Sequence, residues 1–217
     1  MHQKPGFIIQ MPSKYQKYPK TYHLPWSPGV SNDDKVQTDL STLQDKEIVV
    51  SIKMDGECTS LYRDYIHARS LEFKTHPSRT WVQNFHAAIR KDIPEGYRIC
   101  GENLFAKHSI HYTNLRSYFY VYSIWNEETC LGVDETLEWC NLLDLEHIDI
   151  IYRGIFNKDT IRSIKLDELQ QEGYVVRPVK SFNIKDFKNV VLKYVRANHV
   201  QTNEHWLNSS IIKNVLK

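Results

Sequence analysis

The sequence predicts an α+β fold of antiparallel sheets flanked by helices, on three observations. Ile48 to Ile52 and Cys58 to Arg63 are short strand-like runs, the first dense in β-branched residues, on either side of the turn dipeptide Asp55-Gly56. Residues 80–91 place Trp81, Phe85, Ala88 and Ile89 at helical spacing and stop short of Pro94. Glu172 to Pro178 and Val190 to Val195 then return to strand pattern late in the chain.

Residues 1–46 carry prolines at 5, 12, 19, 25 and 28 and read as an irregular N-terminal extension, since proline removes a backbone donor and restricts the residue before it. Within it, Tyr18 to Gly29 reads as an ordered loop over a sheet edge, and Ser31 is placed to cap a short helix reaching Leu43. From Ile48 the expected order is strand, turn, strand, strand, the third spanning Ile66 to Phe73. Asp55-Gly56 is read as the reversal of a hairpin, with Lys53 aimed from its bend. After the helix at 80–91 come strands at Tyr97 to Phe105 and Tyr118 to Trp125, a helix at Asp134 to Leu143, a strand at Ile148 to Tyr152 and a helix at Thr160 to Gln170. Residues 203–217 read as a C-terminal helix with Trp206, Leu207, Ile211 and Val215 on one face.

The 217 residues are 41% hydrophobic and 25% charged, the balance of a globular chain with a substantial core, and are read as one domain. A net charge of +2 gives no case for nucleic-acid binding from total charge, so that case has to rest on a local patch. Cys58, Cys100, Cys130 and Cys140 form no Cys-x-x-Cys pair, which argues against a structural zinc site. No run approaches the roughly 18 apolar residues that span a bilayer. A cytoplasmic protein with reduced thiols and no membrane partner is expected. His108 and His111 lack a third ligand of matching type, and Lys74, His76 and Arg79 read either as phosphate contacts or as a solvated loop.

Lys53, Glu102, Glu172 and Lys193 each lie on or beside an apolar strand. A lysine before an Asp-Gly turn is by itself an ordinary solvated edge residue. The order of the parts is more specific: Lys53-x-Asp55-Gly56, then Gly101-Glu102, an aromatic strand holding Tyr122, Glu172-Gly173 before two valines, and a final strand with Lys193. In that order the sequence resembles the covalent nucleotidyltransferase superfamily of ATP-dependent ligases and capping enzymes, and most closely the RNA ligases of the phage type. The resemblance runs from about Ile48 to Arg196.

That resemblance implies a nucleotidyltransferase (ATP-grasp-like ligase) domain with the nucleotide between its sheets and no separate oligonucleotide-binding domain. It implies Lys53 as the nucleophile that forms lysyl-AMP, with Asp55 beside it in the same motif. Arg69 is expected on the ribose or the RNA 5′-phosphate, Glu102 on a ribose hydroxyl and Tyr122 stacked on the adenine. Glu172 is expected to help hold a metal, Arg177 stands where a basic residue often accompanies it, and Lys193 is expected on the α-phosphate. ATP is the implied AMP donor, with Mg²⁺ or Mn²⁺. The implied partner is RNA with 5′-phosphate and 3′-hydroxyl ends, in RNA repair, with an end-processing kinase or phosphatase; a monomer is expected. The alternatives are a DNA ligase, a capping-type nucleotidyltransferase, or a nucleic-acid-binding module whose lysine site has decayed.

Two positions depart from the family pattern. Ser123 follows Tyr122 where an aspartate is usual, and Val195 stands where a second lysine is common. The residue types suit the chemistry in their own right. At neutral pH only about one free lysine in two thousand is neutral. The sequence reading therefore expects Lys193, Arg177 or a bound cation to lower the pKa of Lys53.

Overall fold

The computed structural model describes residues 14–71, 76–197 and 211–217. Its strands run in chain order as β1 (Tyr22–His23), β2 (Glu47–Lys53), β3 (Glu57–Tyr62), β4 (Ile66–Ala68), β5 (Tyr97–Asn103), β6 (Phe119–Asn126), β7 (Thr129–Cys130), β8 (Glu146–His147), β9 (Ile150–Ile155), β10 (Gly173–Pro178), β11 (Phe182–Asn183) and β12 (Leu192–Val195). The α-helices are α1 (Thr80–Ile89), α2 (Val133–Leu142), α3 (Lys158–Arg162) and α4 (Phe187–Val190). Among the described residues the strands form two sheets, as the α+β reading expects. The first has the order β1-β12-β10-β2-β9; the second has β11-β7-β6-β5-β3-β4, with β8 beside β6. Pairing is antiparallel except for β1 with β12 and β8 with β6. No helix of the described residues is long and apolar enough to cross a membrane.

Alternation along the strands divides apolar from polar. In β2, Ile48 and Val50 lie on one face and join Tyr174, Val176 and Leu192 in a core with Leu24, Leu43 and Ile161. The opposite parity carries Ser51 and Lys53, with Val175 in register between Ser51 and Lys193. The second sheet buries Leu61, Ile99, Val121 and Ile124 with Val82 of α1 and Cys140 of α2. The first of these cores also takes in Cys100, Trp125 and Cys130 of the second sheet, and the cleft between the sheets is lined by polar and apolar side chains together.

The expected hairpin does not form. β2 pairs with β10 and β9, whereas β3 pairs with β4 and β5, so Asp55-Gly56 carries the chain from one sheet to the other. Gly56 is needed for close approach, because a Cβ there would lie 2.6 Å from the Asn103 carbonyl oxygen and 2.7 Å from Leu104 Cδ2. Three helical expectations are also corrected. Between Ser31 and Leu43 there is only a 3₁₀ turn at Ser41–Leu43, since the Ser31 amide and hydroxyl both donate to Asp34 and close a turn instead. The helix expected over 160–170 is the shorter α3, after which Asp167 turns the chain by accepting from the Leu169 amide, and Leu169 stays exposed. In the C-terminal stretch, Trp206 and Leu207 lie outside the described residues. Residues 211–217 are extended, and bridge Ala106 through Lys213 and Leu115 through Leu216. Asn214 is buried there, donating to the Leu104 carbonyl and accepting from the Tyr112 amide. The third strand expected over Ile66 to Phe73 is the shorter β4, and its residues 72–73 lie outside the described residues.

Gly173 sits where β10 leaves no room: a Cβ would stand 1.8 Å from the Tyr194 carbonyl oxygen. Gly173→Ala is expected to cost about 3 kcal/mol. The melting temperature followed by circular dichroism should fall by about 6–12 °C.

Candidate active site

The cleft between the sheets holds a cavity of about 540 Å³. Seven of the eight residues singled out in the sequence line it: Lys53, Arg69, Glu102, Tyr122, Glu172, Arg177 and Lys193. Strand pairing explains the convergence, because β10 lies between β2 and β12 and brings Gly173 opposite Lys53 and Val175 opposite Lys193. From the second sheet, β5 supplies Glu102 and β6 supplies Tyr122.

Asp55 is the exception. It is buried off the cavity wall, and its Oδ2 accepts from the Ser109 amide at 2.7 Å, the Ser109 hydroxyl at 2.6 Å and the Ile110 amide at 2.9 Å. Its own amide donates to the Tyr112 hydroxyl at 2.9 Å. The aspartate therefore anchors the crossover that follows Lys53, and Asn214 holds the Tyr112 end of that anchor.

The Lys53 ammonium is ion-paired with Glu172, whose amide donates to the Lys53 carbonyl at 3.2 Å. Burial pushes the Lys53 pKa down, but Glu172, Glu102 and Asp55 outweigh it and hold the group above the ordinary lysine value. This corrects the expectation of a lysine depressed by neighbouring cations. The Glu102 pKa is raised as well: burial, reinforced by Glu172 and Asp55 against the pull of Lys53, pushes it up to about 8. Its Oε1 accepts from the Gly56 amide at 3.1 Å. Lys193 is pushed down by burial, an effect opposed by Asp34, whose Oδ1 lies 3.2 Å from its Nζ.

Two assignments change character in the structure. The Arg177 guanidinium donates to the Tyr122 carbonyl at 3.0 Å and the Leu131 carbonyl at 2.7 Å, so it ties β10 to the opposite sheet while bordering the cavity. Tyr122 owes its position to a bulge: Cys100 pairs with Ser123 and Gly101 with Val121, which leaves Tyr122 unpaired and turned to the cleft beside Ser123. Its hydroxyl donates to Cys58 Sγ at 2.9 Å, and its ring meets Tyr18 edge to face at 5.1 Å.

Sequence reasoning missed several wall residues. Glu57 and buried Arg79 form a forked pair, Arg79 Nε donating at 3.0 and 2.9 Å to the two carboxylate oxygens. The position of Glu57 next to the Lys53 motif was a readable signal; Arg79 stood only in a loose basic cluster. Lys74 of that cluster lies outside the described residues. Asp34 and Tyr18 come from the extension, and proline-rich sequence gives no face to assign. His108 lines the cavity, whereas His111 Nε2 lies 3.1 Å from the Lys213 carbonyl oxygen, so the two do not converge. No group of three His, Cys, Asp or Glu placed to hold a metal occurs among the described residues.

Residues 46–195 match the RNA ligase family. Among solved structures, an RNA ligase from Naegleria gruberi with pyrophosphate is similar at a TM-score of 0.57 and 16% identity, over 86% of this chain and 57% of that one. A putative ATP-dependent DNA ligase from Aquifex aeolicus is similar at 0.59 and 19% identity, over 84% and 50%. A lysine variant of the Naegleria enzyme with ATP and Mn gives 0.54 and 16%. These likenesses show the fold; the chain spans 50–57% of the length of these three relatives. No curated protein matches the sequence.

Glu102 makes stability pH-dependent with a definite sign. Its pKa rises from 4.5 to about 8 on folding, so between those values the unfolded chain has lost a proton that the folded chain keeps, and stability falls as pH rises. Lys53, raised from 10.5, titrates above this window. Glu102→Gln is expected to remove much of that slope. Thermal melts from pH 5 to 8 should show the wild type losing about 5 °C or more relative to the variant.

Proposed function

We propose that this chain, which belongs to the RNA ligase family, is an ATP-dependent RNA ligase that joins 5′-phosphate to 3′-hydroxyl ends through a lysyl-AMP on Lys53. The observation that carries the reading is the convergence of Lys53, Glu102, Glu172 and Lys193 on one cavity between two sheets.

In the first step Lys53 Nζ, after losing a proton, attacks the α-phosphorus of ATP; the bond to the bridging oxygen breaks and pyrophosphate leaves. An oxygen of the RNA 5′-phosphate then attacks the same phosphorus, the P–N bond breaks, and AMP is capped onto the RNA end. The 3′-hydroxyl of the second end finally attacks the 5′-phosphorus, forming the phosphodiester and releasing AMP. At rest the ion pair with Glu172 keeps Lys53 charged and unreactive, so the first step requires that pair to open. Lys193 supplies positive charge at the cavity wall for the phosphates, and the Tyr122 ring and Cys58 offer a neutral, polarisable surface to a base. Glu102, held largely neutral, is suited both to accept from and to donate to a ribose hydroxyl.

A divalent cation fits this residue set. Without a three-ligand cage among the described residues, it would be held by Glu172 together with phosphate oxygens, the mode typical of Mg²⁺. When bound, such a cation stabilises the charge that develops as pyrophosphate leaves. The Naegleria structure with ATP and Mn supports use of a divalent ion. RNA repair, a kinase or phosphatase that prepares the ends, and a monomeric state are part of the same reading.

Incubation with α-labelled ATP and Mg²⁺ or Mn²⁺ is expected to place label on the protein. Lys53→Ala should abolish it, and Glu172→Ala and Lys193→Ala should each slow it about a hundredfold. Labelling from GTP alone would move the reaction to capping, and no label from either nucleotide would sink the reading. Chase with 5′-phosphorylated RNA or DNA tests which end accepts AMP.

A further inference from the structure

Asp34 is contributed by the segment ahead of β2, outside the family match, and yet it lines the same cavity as Lys53. Its place is built. His23 of β1 lies parallel to Lys193 of β12, and the His23 amide donates to the Lys35 carbonyl at 2.7 Å, so residues 34–36 are drawn along the edge of the first sheet. The Ser31 hydroxyl and amide donate to Asp34 Oδ2 at 2.8 and 3.2 Å and orient the carboxylate. The other oxygen faces Lys193 Nζ at 3.2 Å, with Lys20 Nζ at 4.0 Å. His23 Nε2, fully buried, stands 3.2 Å from Oδ2. Burial raises the Asp34 pKa, but Ser31 and Lys193 outweigh that and hold the carboxyl well below the usual range, so it is ionised at neutral pH.

Lys193 is a long side chain only 17% exposed, on the same sheet face as Lys53. The charged groups around it are Asp34 and Lys20 from the N-terminal segment, Lys53 from β2 and Glu172 ahead of β10; His23 from β1 lies beside Asp34. Two of these are cations, and Glu172 is engaged by Lys53. Asp34 is the carboxylate in contact with Lys193.

We propose that Asp34 is a positioning residue for Lys193: it fixes the ammonium on the cavity wall and keeps it charged for the phosphate that Lys53 attacks. The proposal rests on the reading of Lys53 and Lys193 given above. It makes the N-terminal segment part of the reaction centre and gives the lone lysine of the last strand, which lacks a second lysine at Val195, a fixed partner.

Two measurements test it. In single-turnover labelling with α-labelled ATP, Asp34→Asn is expected to slow lysine adenylylation about tenfold while ATP affinity changes less than about threefold. Combined with Lys193→Ala it should add nothing, because two groups acting as a unit are non-additive. Asp33→Asn, next to it and exposed, should label at the wild-type rate. Independently of activity, NMR titration of ¹³Cε-labelled lysines should show the Lys193 midpoint lower in Asp34→Asn than in wild type. If Asp34→Asn does not fold, Ser31→Ala serves as the milder variant, with labelling slowed about threefold. Losses that multiply in the double variant, or an unchanged Lys193 midpoint, overturn the proposal. A wild type that takes no label brings down the ligase reading instead, and the Lys193 midpoint then decides the Asp34 pairing by itself.

Discussion

The Arg177 guanidinium reaches from β10 of one sheet to the backbone of the other and ties the two sheets together at the wall of the cleft. Here one carbonyl from the bulge at Tyr122 and one from Leu131 are satisfied by a cation of the facing sheet. Removing it would strand buried carbonyls, at about 1–3 kcal/mol each. Arg177 thus adds a polar tie to an apolar cluster that already joins Val50 and Val176 of the first sheet with Trp125 and Cys130 of the second.

Inside the cleft the charges are arranged in couples. Lys53 faces Glu172, Lys193 faces Asp34, and Arg79 faces Glu57, so three of the cations that line the cavity are each in contact with an acid, while Arg177 on the same wall donates to backbone carbonyls. Glu102 stands outside the couples, and as the acid left over it is the one whose proton is held to high pH. An anionic ligand entering this site meets cations already desolvated and aimed, at the expense of contacts they make at rest. The site is organised for exchange of partners.

Much of the architecture was legible because strand and helix periods are local. The runs at 48–52, 58–63, 97–105, 118–125 and 172–178 all became strands, and 80–91 and 134–143 became helices within a residue or two at most ends. The hairpin at Asp55-Gly56 was misread because a turn dipeptide records a change of direction and says nothing about which sheet receives the next strand. The helix expected over 160–170 was cut short: Ile161 is in the core with Ile164 and Leu166 packed against it, but Asp167 turns the chain and Leu169 stays exposed. For the site, the ordered motif found seven residues of the cavity wall. It did not find Asp34, whose role depends on a parallel pairing between residues 22–23 and 192–193 that no local pattern encodes. Nor did it separate Asp55, which shapes the backbone, from Lys53, which points into the cavity.

Asn214 joins the backbone at Leu104 and Tyr112 across 102 to 110 residues of chain, and Tyr112 in turn carries the amide of Asp55. Contacts that close such long loops form late in folding, because their entropy must be met before they give anything back. The final shape of the crossover beside Lys53 thus depends on both sheets and on residues 211–217. A partly folded chain can hold the lysine on its strand without yet holding it in a working centre.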